Sequence, residues 1–372
     1  MLFKEIADEL SRRGNNVKII ASNRTSTDDL INPKPKTVNK RTDKDIVYLP
    51  VLAKGRKFFR LGELFFGNSI FTCFKKGPVF LNLWPFIKNQ NIDWVVSGLF
   101  PLANTFWGYL ASKLSGAKLA VIPAFHESDR EHQNPFLFRI TRKADLVIAL
   151  SKNEKKELIK HGILEKNIIV SAGIVNQAIF INPKNRVNFP KTANVLFLGV
   201  KSAHKNIITL IEAMKIIWKS MPEVSLTIAG PETLYSPKIK KIISLLPKDI
   251  QKNVKYLGKV SEKQKVDLID RSTLLVNPSC QESFGIVFTE AWARKKPVIG
   301  AKTPVTSEVI INQKDGLLAK PDDATDLAKK VKNMIDNQEV AKRMGERGYK
   351  KAVDNFTSEK VVGKILKSIS KK

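Results

Sequence analysis

Glu282 and Glu290 stand eight positions apart in CQESFGIVFTEAW, a stretch that is otherwise largely apolar. A carboxylate is costly to remove from water without a partner, so two of them in such a segment call for a use. Sugar hydroxyls are one, because a carboxylate accepts from the paired donors that they present. Between the two, Gly285 lets backbone approach a ligand closely. A helix beginning there would aim unpaired N–H groups and the positive end of its dipole at an anion such as phosphate. The bland alternative is an acid on a helix dipole and another on a solvated helix face. The segment alone leaves both open.

The surrounding residues, TLLVNPSCQESFGIVFTEAWARKKPVIG, read as strand, loop, helix, strand. Short β-branched runs alternate with amphipathic segments along the whole chain, the pattern of parallel sheets with helical crossovers. NVKIIAS, DIVYLPV, DWVVSGL, AKLAVIPAF, ADLVIALS and NIIVSAG are the strands of the first half. NVLFLG, VSLTIAG, VKYLG, TLLVNPS, KPVIGAK and DGLLAK are those of the second. Gly116 and Gly162 fall where helices should stop. The expected division is a domain over 1–175, a linker over 176–193 rich in Pro and Asn, a second domain over 194–352, and a C-terminal helix over 353–372 packing back toward the first domain. Two successive doubly wound domains bind ligand in the cleft between them, outside the carboxyl ends of the strands.

A length of 372 residues suits two cores, not one. No run approaches about 20 uninterrupted apolar residues, so no spanning helix is expected. MLFKEIADELSRRG carries acids in the body of an amphipathic helix, unlike a secretory leader. Cys73 and Cys280 are far apart and form no metal spacing, and two free thiols fit a cytoplasmic location. The net charge of +29 is spread along the chain, with 30 basic against 16 acidic residues up to position 190 and 34 against 19 beyond it. Coding bias explains such a spread, and so does attraction to anionic lipid or anionic substrates. Nucleic acid is not expected, since no zinc-finger spacing or RNA-binding aromatic motif accompanies the charge.

With its context, the Glu282–Glu290 segment resembles the E-x7-E motif of retaining GT-B glycosyltransferases of family 4. FLGVKSAHKNIITLIEAM, VSLTIAG, VKYLGKVSEKQKVDLIDRSTLLVNPS, KPVIGAKTPVTSEVI and DGLLAKPDD follow that family's order, and LSRRGNNVKIIAS, AVIPAFHE and ADLVIALSKNEKKELIKHGI are similar to it in the first half. The resemblance implies the α/β GT-B fold, two Rossmann-like doubly wound domains with a cleft between them. It implies transfer of a sugar from a nucleotide-diphosphate sugar to a glycan or lipid-linked acceptor, with retention and with no metal strictly required. Glu282 would contact the donor sugar and Glu290 the ribose. The backbone of Ser283, Phe284, Gly285, Ile286 and Val287 would receive the diphosphate, and Lys205 would neutralise it as it leaves. Gly199 ends the first strand of this domain, and Lys259 and Val260 would border the nucleobase. His126 would stand beside the reacting sugar; its neighbour Glu127 receives no role.

Two positions depart from the family's pattern. Where the family carries an arginine after Gly199 this chain has Val200, and Lys201 next to it offers a point charge without the guanidinium fork. The chain also opens on a helix where such a domain begins with a strand and a glycine-containing turn, so the first strand is expected to be missing and Met1 is not the expected natural start. His204 stands beside Lys205 and could approach phosphate; His132 and His161 suit a polar loop and a helix end. Lys54 to Phe86 interleaves phenylalanines with basic residues, which fits either a core with a solvated basic face or a peripheral contact with an anionic membrane surface. Two other classes remain open: a catalytically impaired sugar-nucleotide or glycan-binding protein, and a basic peripheral-membrane binding protein.

Overall fold

The structure, a computed structural model, describes residues 2–22, 46–49, 69–80, 82–88, 90–126, 129–180 and 192–372. Glu127, most of the 176–193 linker, and residues 54–68 and 81 of the Lys54 to Phe86 segment lie outside the described residues. The chain divides into two compact units, Met1–Ala172 with Val362–Lys372, and Gly173–Val361.

In the first unit, β1 (Ile19–Ser22) and β2 (Ile46–Leu49) pair in parallel. A second parallel sheet runs in the order β3 (Trp94–Gly98), β4 (Lys118–Ile122), β5 (Leu146–Ala149), β6 (Ile168–Val170). β5 is buried along its whole length, and so is β4 after Lys118, as expected of strands covered on both faces. Leu119, Val121 and Val147 form a core with Phe125, Phe138 and Leu158. The helix Asn104–Ser115 stops at Gly116, which takes the left-handed conformation with φ 75°, and Gly162 at φ 78° follows the helix Lys152–Lys160. The last helix, Ser358–Ile369, crosses the division between the units. The terminal residue belongs to the first, where the Lys372 carbonyl accepts from Lys118 Nζ at 2.9 Å.

The second unit is built on six parallel strands. These are β7 (Asn194–Leu198), β8 (Ser225–Ala229), β9 (Val254–Leu257), β10 (Leu274–Asn277), β11 (Val298–Ala301) and β12 (Leu317–Ala319). Their order across the sheet is β12-β11-β10-β7-β8-β9. The chain starts in the middle, winds outward to β9, returns to the far side of β7 as β10 and winds outward again. The direction of winding therefore reverses between β7 and β10, and the crevice beyond their carboxyl ends is where such sheets take ligands.

β7, β8 and β9 are each followed by a glycine: Gly199, Gly230 and Gly258. At Gly230 the choice is steric, since a Cβ there would sit 1.8 Å from the Gly199 carbonyl oxygen, at a φ of 148°. A second close approach secures the helix Ile286–Ala293. The helix Gln338–Asn355 lies against it through Gly348, where a Cβ would fall 2.0 Å from the Trp292 ring. The Trp292 indole N–H donates to the Asp315 carbonyl at 2.9 Å. Both cysteines are free thiols. Among the described residues, no helix is long and apolar enough to cross a membrane.

Candidate functional site

The loops leaving β7 and β10 meet beyond the point where the winding reverses. Ser279 Oγ and the Cys280 N–H both donate to the His204 carbonyl, at 3.2 and 3.0 Å, which holds the two loops together. Lys205 and Glu282 are joined across this seam, with Nζ donating to Oε1 at 2.6 Å. Asn277, the last residue of β10, donates from Nδ2 to the same oxygen at 3.3 Å. One oxygen of Glu282 is thus held from two sides, while Oε2 accepts no hydrogen bond among the described residues. Asn206, left-handed at φ 57°, donates to Asp322 Oδ1 at 2.8 Å and so ties the segment after β12 to the same seam. The Cys280 thiol lies 3.6 Å from that oxygen, and burial with the adjacent Asp322 carboxylate pushes its pKa up to about 11.

Gly285 precedes the helix Ile286–Ala293 in the left-handed conformation, φ 84° and ψ 49°, with no side chain capping the helix start. The first N–H groups of this helix, from Ile286 and Val287, have no side-chain acceptor among the described residues and suit an anion. The Phe284 side chain turns away from such a role: it is buried, edge-on to Phe356 at 5.3 Å, and fills the space over Gly173. Ser283 stands half-buried in the same turn.

Glu290 is 2% exposed, which disposes of the solvated helix face. Its Oε1 accepts from Lys265 Nζ at 2.5 Å, and Lys265 also reaches Glu262 at 2.8 Å. Burial pushes the Glu290 carboxyl above its ordinary value, against the pull of the Lys265 ammonium. Burial works to lower Lys265 in turn, but the two carboxylates outweigh it and hold the ammonium above its ordinary value. Lys265 belongs to the helix Glu262–Arg271, started by a capping box between Ser261 and Gln264. Lys259, exposed, and Val260, half-buried, form the short link between β9 and that helix.

Lys201 is placed differently from Lys205. It is fully buried. Its ammonium donates to the carbonyls of Gly230 at 2.7 Å and Leu257 at 2.5 Å and to Glu232 at 2.9 Å, and lies 4.2 Å from the centre of the Tyr256 ring. A lysine has three N–H donors, and all three are used, two on the segment after β8 and one on the last residue of β9. Burial works against the Glu232 carboxylate, yet the hydrogen bond from Lys201, with those from Ser236 and Tyr256, brings its pKa down to about 2. Val200, at the position where the family carries arginine, is 42% exposed. Gly199, half-buried, donates its N–H to the Ala229 carbonyl at 3.0 Å.

His126 belongs to the first unit. Its backbone N–H donates to His132 Nδ1 at 3.1 Å, and the two imidazoles are 5.0 Å apart. The preceding N–H, of Phe125, donates to Glu154 Oε1 at 2.8 Å, and Leu150 N–H supplies Oε2 at 2.7 Å. Glu154 is buried, and this burial pushes its pKa up to about 7. His204 is exposed, with Nε2 3.2 Å from Ser202 Oγ, and the His161 ring stacks on Phe138 at 3.8 Å.

Lys265, Asn277 and Asp322 hold the site together without any motif announcing them. For Lys265 the only signal is a lysine at an inward position of an amphipathic helix; for Asn277 it is an amide inside an apolar strand.

Residues 2–175 match the family model described as Glycosyltransferase Family 4, and residues 180–351 the one described as Glycosyl transferases group 1. A Methanocaldococcus jannaschii protein described as an uncharacterized glycosyltransferase is 31% identical over 61% of this chain and 60% of its own length. The match thus spans less than two thirds of that relative. The N-acetyl-alpha-D-glucosaminyl L-malate synthase of Bacillus anthracis is 24% identical over 74% of either chain. Among solved structures, HepE of Anabaena in complex with UDP and glucose shares the fold. Its TM-score is 0.67 at 18% identity, over 88% of this chain and 86% of that one.

Proposed function

Because the chain belongs to the GT-B glycosyltransferases of family 4, we propose that it transfers a sugar from a nucleotide-diphosphate sugar to an acceptor hydroxyl, with retention, in the synthesis of a glycan, glycolipid or polysaccharide. The observation that carries this reading is the Lys205–Glu282 pair, 2.6 Å apart at the reversal between β7 and β10. It joins a charge suited to diphosphate to a carboxylate suited to hydroxyls, beside a helix start that no side chain caps.

The donor's diphosphate is received by the backbone of Ser283, Phe284, Gly285, Ile286 and Val287. As the bond between the anomeric carbon and the phosphate oxygen breaks, the Lys205 ammonium and the helix amides stabilise the negative charge that gathers on the leaving group. Glu282 orients the sugar through its free oxygen. The acceptor oxygen attacks the face that the leaving group vacates, and a phosphate oxygen of the departing nucleotide takes its proton, so no separate base is needed. Glu290 accepts from the ribose, and the segment Gly258 to Val260 borders the base. The reaction so drawn uses protein charges alone and no metal ion. His126 keeps contact with the reacting sugar as its role, on the strength of the resemblance. The curated relative named as a glucosaminyl malate synthase and the neighbour solved with UDP and glucose support a nucleotide-sugar donor.

Calorimetric titration with UDP and GDP tests the assignment. Glu290→Ala is expected to weaken nucleotide binding, and Glu282→Ala to depress turnover more than nucleotide affinity. Unchanged nucleotide affinity in both variants removes Glu290 from the site. A thermal-shift screen of nucleotide sugars identifies the donor, because stabilisation grows with ligand concentration over its dissociation constant.

A further inference from the structure

Asn277 ends β10, whose other residues are Leu274, Leu275 and Val276. β10 lies inside the sheet, between β7 and β11, where a strand covered on both faces favours an unbroken apolar run. The asparagine there is 1% exposed. One end of its amide is used: Nδ2 donates to Glu282 Oε1 at 3.3 Å. The other end is not, since Oδ1 is buried and has no hydrogen-bond partner among the described residues. A buried acceptor left unpaired lowers stability. Leucine has nearly the same shape as asparagine and would avoid that cost. A residue that breaks the local rule at a cost to the fold marks a functional position, and among the described residues the one side chain to which its amide hydrogen-bonds is Glu282.

We infer that Asn277 is a positioning residue for Glu282. Together with Lys205 it fixes Oε1, leaving Oε2 to accept from the hydroxyls of the donor sugar, so Asn277 sets how strongly the site distinguishes a nucleotide sugar from the bare nucleotide. Lys205 alone does not suffice for this: its ammonium hangs on a flexible stem and must also serve the diphosphate, whereas the asparagine is anchored in the sheet. Aspartate at 277 would set a second carboxylate against Glu282, and an aliphatic residue would leave Glu282 held from one side. This role rests on the donor-site reading above.

The experiment compares wild type with N277L, and with N277T, which keeps a side-chain donor. The probes are UDP, GDP, UDP-glucose, UDP-N-acetylglucosamine and GDP-mannose, followed by calorimetry, donor hydrolysis and thermal unfolding. The expected result for N277L is a thermal midpoint equal to or above wild type and a Kd for the bare nucleotide within about twofold. The extra affinity conferred by the sugar should fall roughly tenfold, and turnover with it, the size of one hydrogen bond to a charged group. N277T should recover part of that loss. A lower midpoint in N277L with parallel losses for nucleotide and nucleotide sugar overturns the inference in favour of a purely structural asparagine. So does a sugar increment and turnover equal to wild type. A wild-type protein that binds none of the five probes overturns the donor-site reading itself, an outcome separate from either of these.

Discussion

Lys265 and Glu290 face each other from two helices, Glu262–Arg271 and Ile286–Ala293, with Nζ and Oε1 2.5 Å apart. The same two helices are joined a second time, with the charges exchanged. Arg294, directly after the second helix, clasps both oxygens of Asp270 in the first at 2.7 Å. Four charges in two opposed pairs fix one helix against the other; the second carries Glu290, proposed for the ribose, and the first follows directly on the link Lys259–Val260, proposed for the base.

Removing Glu290 strips Lys265 of its buried partner, and breaking a buried pair from one side costs about 3 kcal/mol. Glu290→Ala is therefore expected to lower stability by that order and to weaken UDP or GDP binding. Replacing both residues, as Lys265→Met with Glu290→Leu, should restore the stability but not the affinity. Urea unfolding and calorimetry on the two variants measure this. Recovered nucleotide affinity in the double variant would show that Glu290 serves only to hold the helices.

Lys205→Met removes a charge expected to matter most when the diphosphate departs. Turnover should fall by about 10²–10³, the effect of losing one preorganised group facing developing charge, while the Kd for UDP or GDP changes much less. Equal losses in turnover and affinity would assign Lys205 to ground-state binding alone.

Glu154 predicts a pH dependence of stability. Its pKa is raised in the fold to about 7, from an ordinary 4.5. Between those two values the folded chain holds a proton that the unfolded chain has released, so stability falls as pH rises through the window and levels off above it. The loss is about 3 kcal/mol between pH 4.5 and 7. Glu154→Gln should flatten this part of the profile in urea unfolding at pH 5, 6, 7 and 8. A slope unchanged from wild type would show that other groups cause it.

Glu232→Ala leaves Lys201 with two carbonyls and a ring but no counter-charge. The expected cost is about 2 kcal/mol, below that of a fully buried pair because Glu232 is itself 41% solvent-exposed. Thermal unfolding checks the size, and Lys201→Met with Glu232→Leu should recover part of it. Stability in Glu232→Ala equal to wild type would mean that the carbonyls and Tyr256 suffice for the ammonium.

Much of the architecture is legible in the sequence because parallel strands buried on both faces leave runs such as NVLFLG and TLLVNPS, and all twelve runs read as strands contain one. The Glu282–Glu290 spacing likewise places one acid before the helix and one inside it. What the sequence obscures is direction. Val200 and Lys201 are neighbours in the loop after β7, where the Ser202 N–H turns back to the Val200 carbonyl at 2.9 Å and no strand alternation tells which side chain points inward. Residue type suggests the valine inside and the lysine out, yet Lys201 is 0% and Val200 42% exposed. Lys263 and Lys265 pose the same difficulty, since the partner that decides between them, Glu290, lies 25 residues beyond Lys265.

Lys201 has a further consequence. Carbonyl oxygens converging at strand ends form the kind of nest that could also be filled by a hydrated potassium or sodium ion, with an occupancy set by the surrounding electrolyte. Here the cation is part of the polypeptide. It cannot be diluted away or exchanged, so the three strand ends that Lys201 gathers keep the same spacing in dilute buffer as in concentrated brine.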